Sequence, residues 1–243
     1  MFDPLFDLKQ KRVLITGGAG TLGALIAKAF AERGADVTIQ DLNQERIDEV
    51  RKSISGQSGK SFSISADLSS PDQCASVVNE ANALMGGLDI VINTAGINRR
   101  KPISEVTEED FNAIVSVNMK AIYFISQAAH PIMKAAGGGV IVNMSSLSAR
   151  YSFNTISVYA ATKAAVTSIT RSTAREWAKD KIRVNCIEPS VIKTEISSGR
   201  GVPSICWEEA SQIGDVAWKE PVTDLKQTNV GDSVYELYIT EWR

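Results

Sequence analysis

Short apolar runs and longer amphipathic stretches alternate along the chain from Arg12 to Ile187. The runs are Val13-Leu14-Ile15, Val37-Thr38-Ile39, Phe62-Ser63-Ile64, Asp89-Ile90-Val91-Ile92, Val140-Ile141-Val142 and Ile182-Arg183-Val184. Most are rich in β-branched residues and apolar on successive positions, as strands covered on both faces require. Helices are predicted between them near 22–33, 43–53, 72–85, 108–135 and 158–179. Strand alternating with helix predicts an α/β fold, a single-domain, doubly wound parallel sheet of Rossmann-like type. The pattern ends near Thr194. Residues 1–194 therefore read as a dinucleotide-binding and catalytic core, and 195–243 as an atypical C-terminal segment. In that segment only Val234–Thr240 alternates like a strand, and it is expected either to pair weakly at the sheet edge beside Ile182–Ile187 or to pack irregularly.

The first strand runs into Thr16-Gly17-Gly18-Ala19-Gly20-Thr21-Leu22-Gly23, which opens a helix. Glycines let a backbone approach a pyrophosphate, and a helix N-terminus offers free N–H groups and partial positive charge. Gly17, Gly18, Gly20, Thr21, Leu22 and Gly23 are thus candidate cofactor ligands. The second strand ends in Asp41, with no Lys or Arg directly flanking it. An acid there accepts hydrogen bonds from an adenosine ribose and repels a 2′-phosphate, which points to NAD. The alternative is that Asp41 caps the helix beginning near Asn43.

Tyr159-Ala160-Ala161-Thr162-Lys163 places a phenol and an ammonium on one helix face. A phenol of pKa ~10 is a poor base at neutral pH, and a nearby cation favours its ionised form. At the end of an upstream apolar strand stands Ser146, whose hydroxyl suits a substrate oxygen. Ser145 competes, but its side chain is expected on the other side of an extended segment.

These motifs, with Asp67-Leu68, Asn93-Thr94-Ala95-Gly96 and Val117-Asn118, resemble those of the short-chain dehydrogenase/reductase family, in family order from about Lys9 to Thr194. The resemblance implies Tyr159 as general acid/base, Ser146 as substrate-oxygen anchor and Lys163 as nicotinamide-ribose ligand and tuner of Tyr159. It implies Asn118 as holder of a relay water, and Asp67 and Leu68 beside the adenine. Asn93, Ala95 and Gly96 would wall the cofactor, and in the cofactor-binding stretch that Pro189 opens the Ile192 backbone and the Thr194 hydroxyl would meet the carboxamide. Thr21 stands where the family pattern has a glycine, and the family's closing segments have no counterpart after Thr194. Helices around Asn112–Lys134 and Val158–Lys179 are apolar on more than one face and suggest a homo-oligomer, a dimer or tetramer in the family.

Substrate chemistry enters through Arg99-Arg100-Lys101, on the loop after a strand. Arg99 or Arg100 there is placed to pair with a substrate carboxylate, and the stretch resembles family members acting on sugar acids such as gluconate; the other reading is a solvated basic loop. A net charge of −2 argues against nucleic acid or an anionic membrane as partner. The N-terminus lacks a signal-peptide pattern and no run spans a bilayer, so the expected place is the cytoplasm. Cys74, Cys186 and Cys206 lack ligand spacing and read as reduced thiols. His130, the single histidine, reads as structural, and no metal is expected. The expected activity is hydride transfer between NAD(H) and a small-molecule secondary alcohol/ketone pair. Reduction of a 3-oxoacyl thioester, and nucleotide binding without turnover, remain open alternatives.

Overall fold

In the computed structural model, residues 7–151, 153–189 and 238–240 are described. The strands are β1 (Arg12–Thr16), β2 (Asp36–Asp41), β3 (Ser61–Ser65), β4 (Ile90–Asn93), β5 (Gly139–Met144), β6 (Ile182–Glu188) and β7 (Tyr238–Thr240). The helices are α1 (Thr21–Glu32), α2 (Gln44–Ser53), α3 (Pro71–Met85), α4 (Glu108–Val115), α5 (Ala121–Ala135) and α6 (Ser157–Trp177). The sheet order is β3-β2-β1-β4-β5-β6-β7, and β1 to β6 pair in parallel.

Two packed layers explain the runs of successive apolar residues. Val13, Ile15, Val37 and Ile39 face Ala27, Ala31 and Ile47 of α1 and α2. Leu14, Val91, Ile141 and Val184 face Val77, Val78, Ile125, Ala129 and Met133 of α3 and α5. Alternate residues of one strand point to opposite faces, so Val13 and Leu14 serve different helix layers. Both layers are shielded from water, which stabilises the sheet by about 25 cal/mol per Å² of apolar surface removed.

The helix expected over 108–135 is interrupted. A π-helical turn, Ser116–Lys120, separates α4 from α5 and holds Asn118 fully buried. The strand expected at Val234–Thr240 is found over 238–240 and runs antiparallel to β6, with Ile187 opposite Ile239. Its residues 234–237 lie outside the described residues, as do Ile192, Thr194 and Cys206. His130 is structural, bonded at Nε2 to Asp180 at 2.9 Å and stacked on Trp177. Cys74 and Cys186 are buried thiols, and burial pushes Cys74 up to about 11.

Chain order reverses between β1 and β4, which are neighbours. Loops leaving adjacent strands in opposite directions open a crevice at their carboxyl ends. The phosphate-loop candidate follows β1 and the Thr94-Ala95-Gly96 turn follows β4.

Candidate active site

Gly17 leaves β1 with φ of 64°, a left-handed backbone open to glycine, and a Cβ there would lie 2.6 Å from Ala95 Cα. At Gly23 a Cβ would lie 2.2 Å from the Gly17 carbonyl oxygen. The loop therefore closes onto itself and onto the β4 turn without side chains. Gly20 is the N-cap of α1, whose first turn has no side-chain cap and no acid. Thr21, Leu22 and Gly23 thus begin a helix whose N-terminal amides seek an acceptor. Those amides and the side-chain-free cradle fit a pyrophosphate.

Asp41 accepts from Ala19 N at 3.1 Å and Leu42 N at 2.8 Å. The cap of α2 is Asn43, which accepts from Arg46 N. The capping alternative for Asp41 is thereby excluded, and its carboxylate lies at the phosphate loop. Gly18 N donates to the Gln40 carbonyl at 2.8 Å. Buried Gln40 accepts from Gly17 N and donates to the Ala66 carbonyl, tying β1, β2 and the chain beyond β3 together. Asp67 accepts from the amide and hydroxyl of Ser69, while Leu68 is buried in the core.

Tyr159 and Lys163 lie one turn apart on α6, with the ammonium 5.5 Å from the phenol ring centroid. Burial raises the Tyr159 pKa, while a hydrogen bond with Ser146 and the charge of Arg100 pull it down. Lys163, which the resemblance makes a nicotinamide-ribose ligand and the tuner of Tyr159, donates through Nζ to the Met144 carbonyl at 2.7 Å. Burial lowers Lys163 itself to about 8. Ser145 points away, its hydroxyl 2.9 Å from both the Lys163 carbonyl and Thr167 Oγ1. Ser146 caps the turn Leu147–Ala149 by accepting from Ser148 N. Asn118 accepts from Ile97 N at 2.8 Å and donates to the Ile97 carbonyl at 2.9 Å. A Cβ at Gly96 would lie 3.5 Å from Asn118 Oδ1 and 3.7 Å from Lys163 Nζ, so these three groups converge.

Gln40, Asn143 and Glu188 were not singled out in the sequence. Asn93, which the resemblance places in the cofactor wall, has its side chain in the sheet, donating to Asn143 at 2.9 Å and accepting from Thr16, and Asn143 donates to Thr170 at 2.9 Å. This buried ladder binds β1, β4, β5 and α6 beneath the crevice. Glu188, wholly buried, accepts from Thr167 and from Arg150. Pro189 accepts from Leu147 N through its carbonyl. The available signal was a polar residue at the carboxyl end of an apolar strand: Gln40, Asn93, Asn143 and Glu188 all fit it.

The cationic loop divides. Arg99 pairs with Glu109 at 3.1 Å and Asp110 at 3.2 Å, and Lys101 pairs with Asp110. Lys101, then Thr107, hold the Asp110 carboxyl well below the usual range, with Arg99 adding to them. Arg99 is thereby committed to α4. Arg100 instead acts on Tyr159, and its Nε is buried with no hydrogen-bond partner among the described residues.

A glycine loop at a sheet switch point, beside a phenol bonded to a serine, defines an oxidoreductase of the Rossmann-like class. The chain belongs to the short-chain dehydrogenase family, whose sequence pattern matches residues 11–201. Family members use NAD(P) and act on CH–OH groups of small molecules. A tropinone reductase homolog from Arabidopsis thaliana is 35% identical over 233 residues, 94% of this chain and 70% of that protein. Gluconate 5-dehydrogenase of Gluconobacter oxydans is 32% identical over 193 residues, covering 79% of this chain and 75% of the relative. The crystal structure of a 3-ketoacyl-(acyl-carrier-protein) reductase from Brucella melitensis, complexed with NADH, superposes with a TM-score of 0.74 at 32% identity, covering 78% of this chain and 79% of that one. Among the described residues, no helix is long and apolar enough to cross a membrane.

Proposed function

We propose that this chain interconverts a secondary alcohol and a ketone on a polyhydroxylated acid, using NAD(H), with Tyr159 as the proton-transfer residue. The observation that carries this reading is the Tyr159 phenol, bonded to Ser146 and under the charge of Arg100, on the helix turn that carries Lys163. The α1 N-terminus would hold the pyrophosphate, Asp41 the adenosine ribose, and Lys163 the nicotinamide ribose. Asp41, at the edge of the phosphate loop, disfavours a 2′-phosphate and so favours NAD over NADP.

Bound NAD supplies a hydride acceptor in alcohol oxidation and, reduced, a hydride donor in the reverse direction. Within this chain, Ser146 donates to the substrate oxygen and holds it beside the phenol. In oxidation Tyr159, as phenolate, takes the hydroxyl proton while the carbinol C–H leaves as hydride with its electron pair, and the C=O bond forms. In reduction the phenol returns that proton to the oxygen. Asn118 and Lys163 meet at Gly96, a geometry suited to passing the proton onward through water. Arg100, whose Nε has no partner among the described residues, supplies the charge for a substrate carboxylate.

A cytoplasmic homo-oligomer belongs to the same proposal. The groove between α4 and α6, lined by Ile103, Val106, Phe111 and Val158, is apolar, with Ile103 and Phe111 largely exposed. The test is a panel of sugar acids, polyols and 3-oxoacyl esters assayed with both cofactors. Highest catalytic efficiency with NAD(H) and a sugar acid is expected. Better efficiency with NADP(H) overturns the cofactor assignment, and preference for the 3-oxoacyl ester overturns the substrate class.

A further inference from the structure

The segment that carries Ser146 leaves β5 and does not wander. Its backbone is sewn to the end of β6, with Ser145 N donating to the Ile187 carbonyl at 2.8 Å and Leu147 N to the Pro189 carbonyl at 2.9 Å. Its side chains converge on one carboxylate. At the near end Thr167 donates to Glu188 Oε1 at 2.9 Å and accepts at the same oxygen from Ser145 Oγ, 2.9 Å away. At the far end Arg150 Nε donates to Glu188 Oε2. Glu188 is 0% exposed, whereas the Arg150 side chain is 46% exposed. A buried carboxylate is expensive to desolvate unless its oxygens are satisfied, and here each oxygen has a donor. An apolar residue would fill the end of β6 without that cost, so the charge at this position points to a task other than packing.

We propose that Glu188 is a positioning residue, fixing Ser146 against the Tyr159 phenol by clamping both ends of segment 145–150. The clamp reaches the reacting groups through Lys163, whose Nζ donates to the Met144 carbonyl immediately before the segment, and through Thr167, the Glu188 donor, which lies one turn beyond Lys163 on α6. Holding Ser145 and Arg150 leaves Ser146 little freedom between them. A hydroxyl displaced by about 1 Å from a reacting oxygen costs up to ~100-fold in rate, although the displaced group makes no chemistry of its own. The inference rests on the Tyr159–Ser146 pairing and is independent of which alcohol is turned over.

The test uses Glu188→Gln and Arg150→Gln in the full chain, read in two ways. In steady-state kinetics, kcat should fall about 10- to 100-fold in both variants, with the Kd for NADH within about twofold of the unsubstituted protein. The second reading is ultraviolet titration of the Tyr159 phenol, isolated from the other tyrosines by subtracting the Tyr159→Phe protein. The charged and titratable groups in play are Ser146, Arg100 and Lys163 around the phenol, and Arg150, Thr167 and Cys186 around Glu188. Loosening Ser146 removes a bond that favours phenolate, so the midpoint should move up. Removing the negative charge alone, with Ser146 still in place, would move it down in Glu188→Gln. An unchanged midpoint with unchanged kcat in Arg150→Gln, or a downward shift in Glu188→Gln, overturns the proposal. The half-exposed Arg150 keeps the test decisive if Glu188→Gln is insoluble, because its variant breaks the clamp from the solvent side.

Discussion

At position 163, burial and chemistry pull in opposite directions. The ammonium is enclosed and lowered to about 8 from an ordinary 10.5, because the folded protein disfavours its charged form. In the unfolded chain the same lysine stays protonated until about pH 10.4. Below the folded value both states carry the proton and the native state bears the desolvation penalty. As pH rises through 8 the native lysine sheds its proton while the unfolded one keeps it, so native stability grows. Relative to Lys163→Met, the unsubstituted protein should gain on the order of 2 kcal/mol between neutral pH and about pH 9.5, measured by urea unfolding. Identical pH profiles for the two proteins would show that the ammonium is not desolvated. Arg99 and Arg100 separate at the same scale. Arg100→Ala should raise KM for a hydroxy acid about 10- to 100-fold, the worth of a charge-assisted hydrogen bond, with little effect on a neutral polyol. Arg99→Ala, which loses the pairs with Glu109 and Asp110, should affect acid and polyol alike. An equal response of both substrates to Arg100→Ala returns that residue to the role of loop charge. Sequence spacing brought Tyr159 and Lys163 to one helix face and put Ser146 at a strand end. The partners of Arg99, Asn93 and Glu188 were hidden because they depend on strand register and on loops that meet across the fold.

The elements show why their existence was easier to read than their interruptions. α2, α3 and α4 begin at Asn43, Ser70 and Thr107, each accepting from a backbone amide of the first turn, and α4 adds a capping box with Asp110. Such starts are local chemistry. The π turn at Ser116–Lys120 is not local, because Asn118 within it is held by both backbone groups of Ile97. The polar residues of that turn, Ser116, Asn118 and Lys120, do not mark a break in the helical pattern, so the sequence predicts α4 and α5 as one helix. The glycine loop was readable as a motif, although the need at each glycine differs. Gly23 faces the Gly17 carbonyl at a distance no methyl tolerates, whereas a Cβ at Gly20 would meet the same carbonyl at 3.3 Å. Gly23→Ala should therefore weaken NADH binding by at least about tenfold while Gly20→Ala changes it less, since only the first forces the loop from the α1 amides. Titration of NADH fluorescence measures both. Equal affinities for Gly23→Ala and the unsubstituted protein would mean that the loop does not seat the cofactor.

Across the whole molecule, the doubly wound sheet followed from the order of apolar runs, and its two-sided burial from their composition. Periodicity could not supply the lateral order of the strands. That order brings β1 beside β4, and it closes the phosphate loop onto Ala95. The far edge was legible in part: 238–240 pair with β6, in the antiparallel sense that alternation alone leaves open. With both helix layers filled and the crevice at the switch point, the chemistry rests on few groups, and the phenol of Tyr159 is the one on which proton transfer depends. Tyr159→Phe removes one oxygen and leaves the ring packed, so fold and NADH binding should persist. The most direct measurement compares turnover of this variant with that of the unsubstituted protein on the best sugar acid or polyol, alongside NADH titration of both. A fall in kcat of about 10²- to 10⁴-fold with NADH affinity retained is the predicted result; near-normal turnover by Tyr159→Phe would contradict the account.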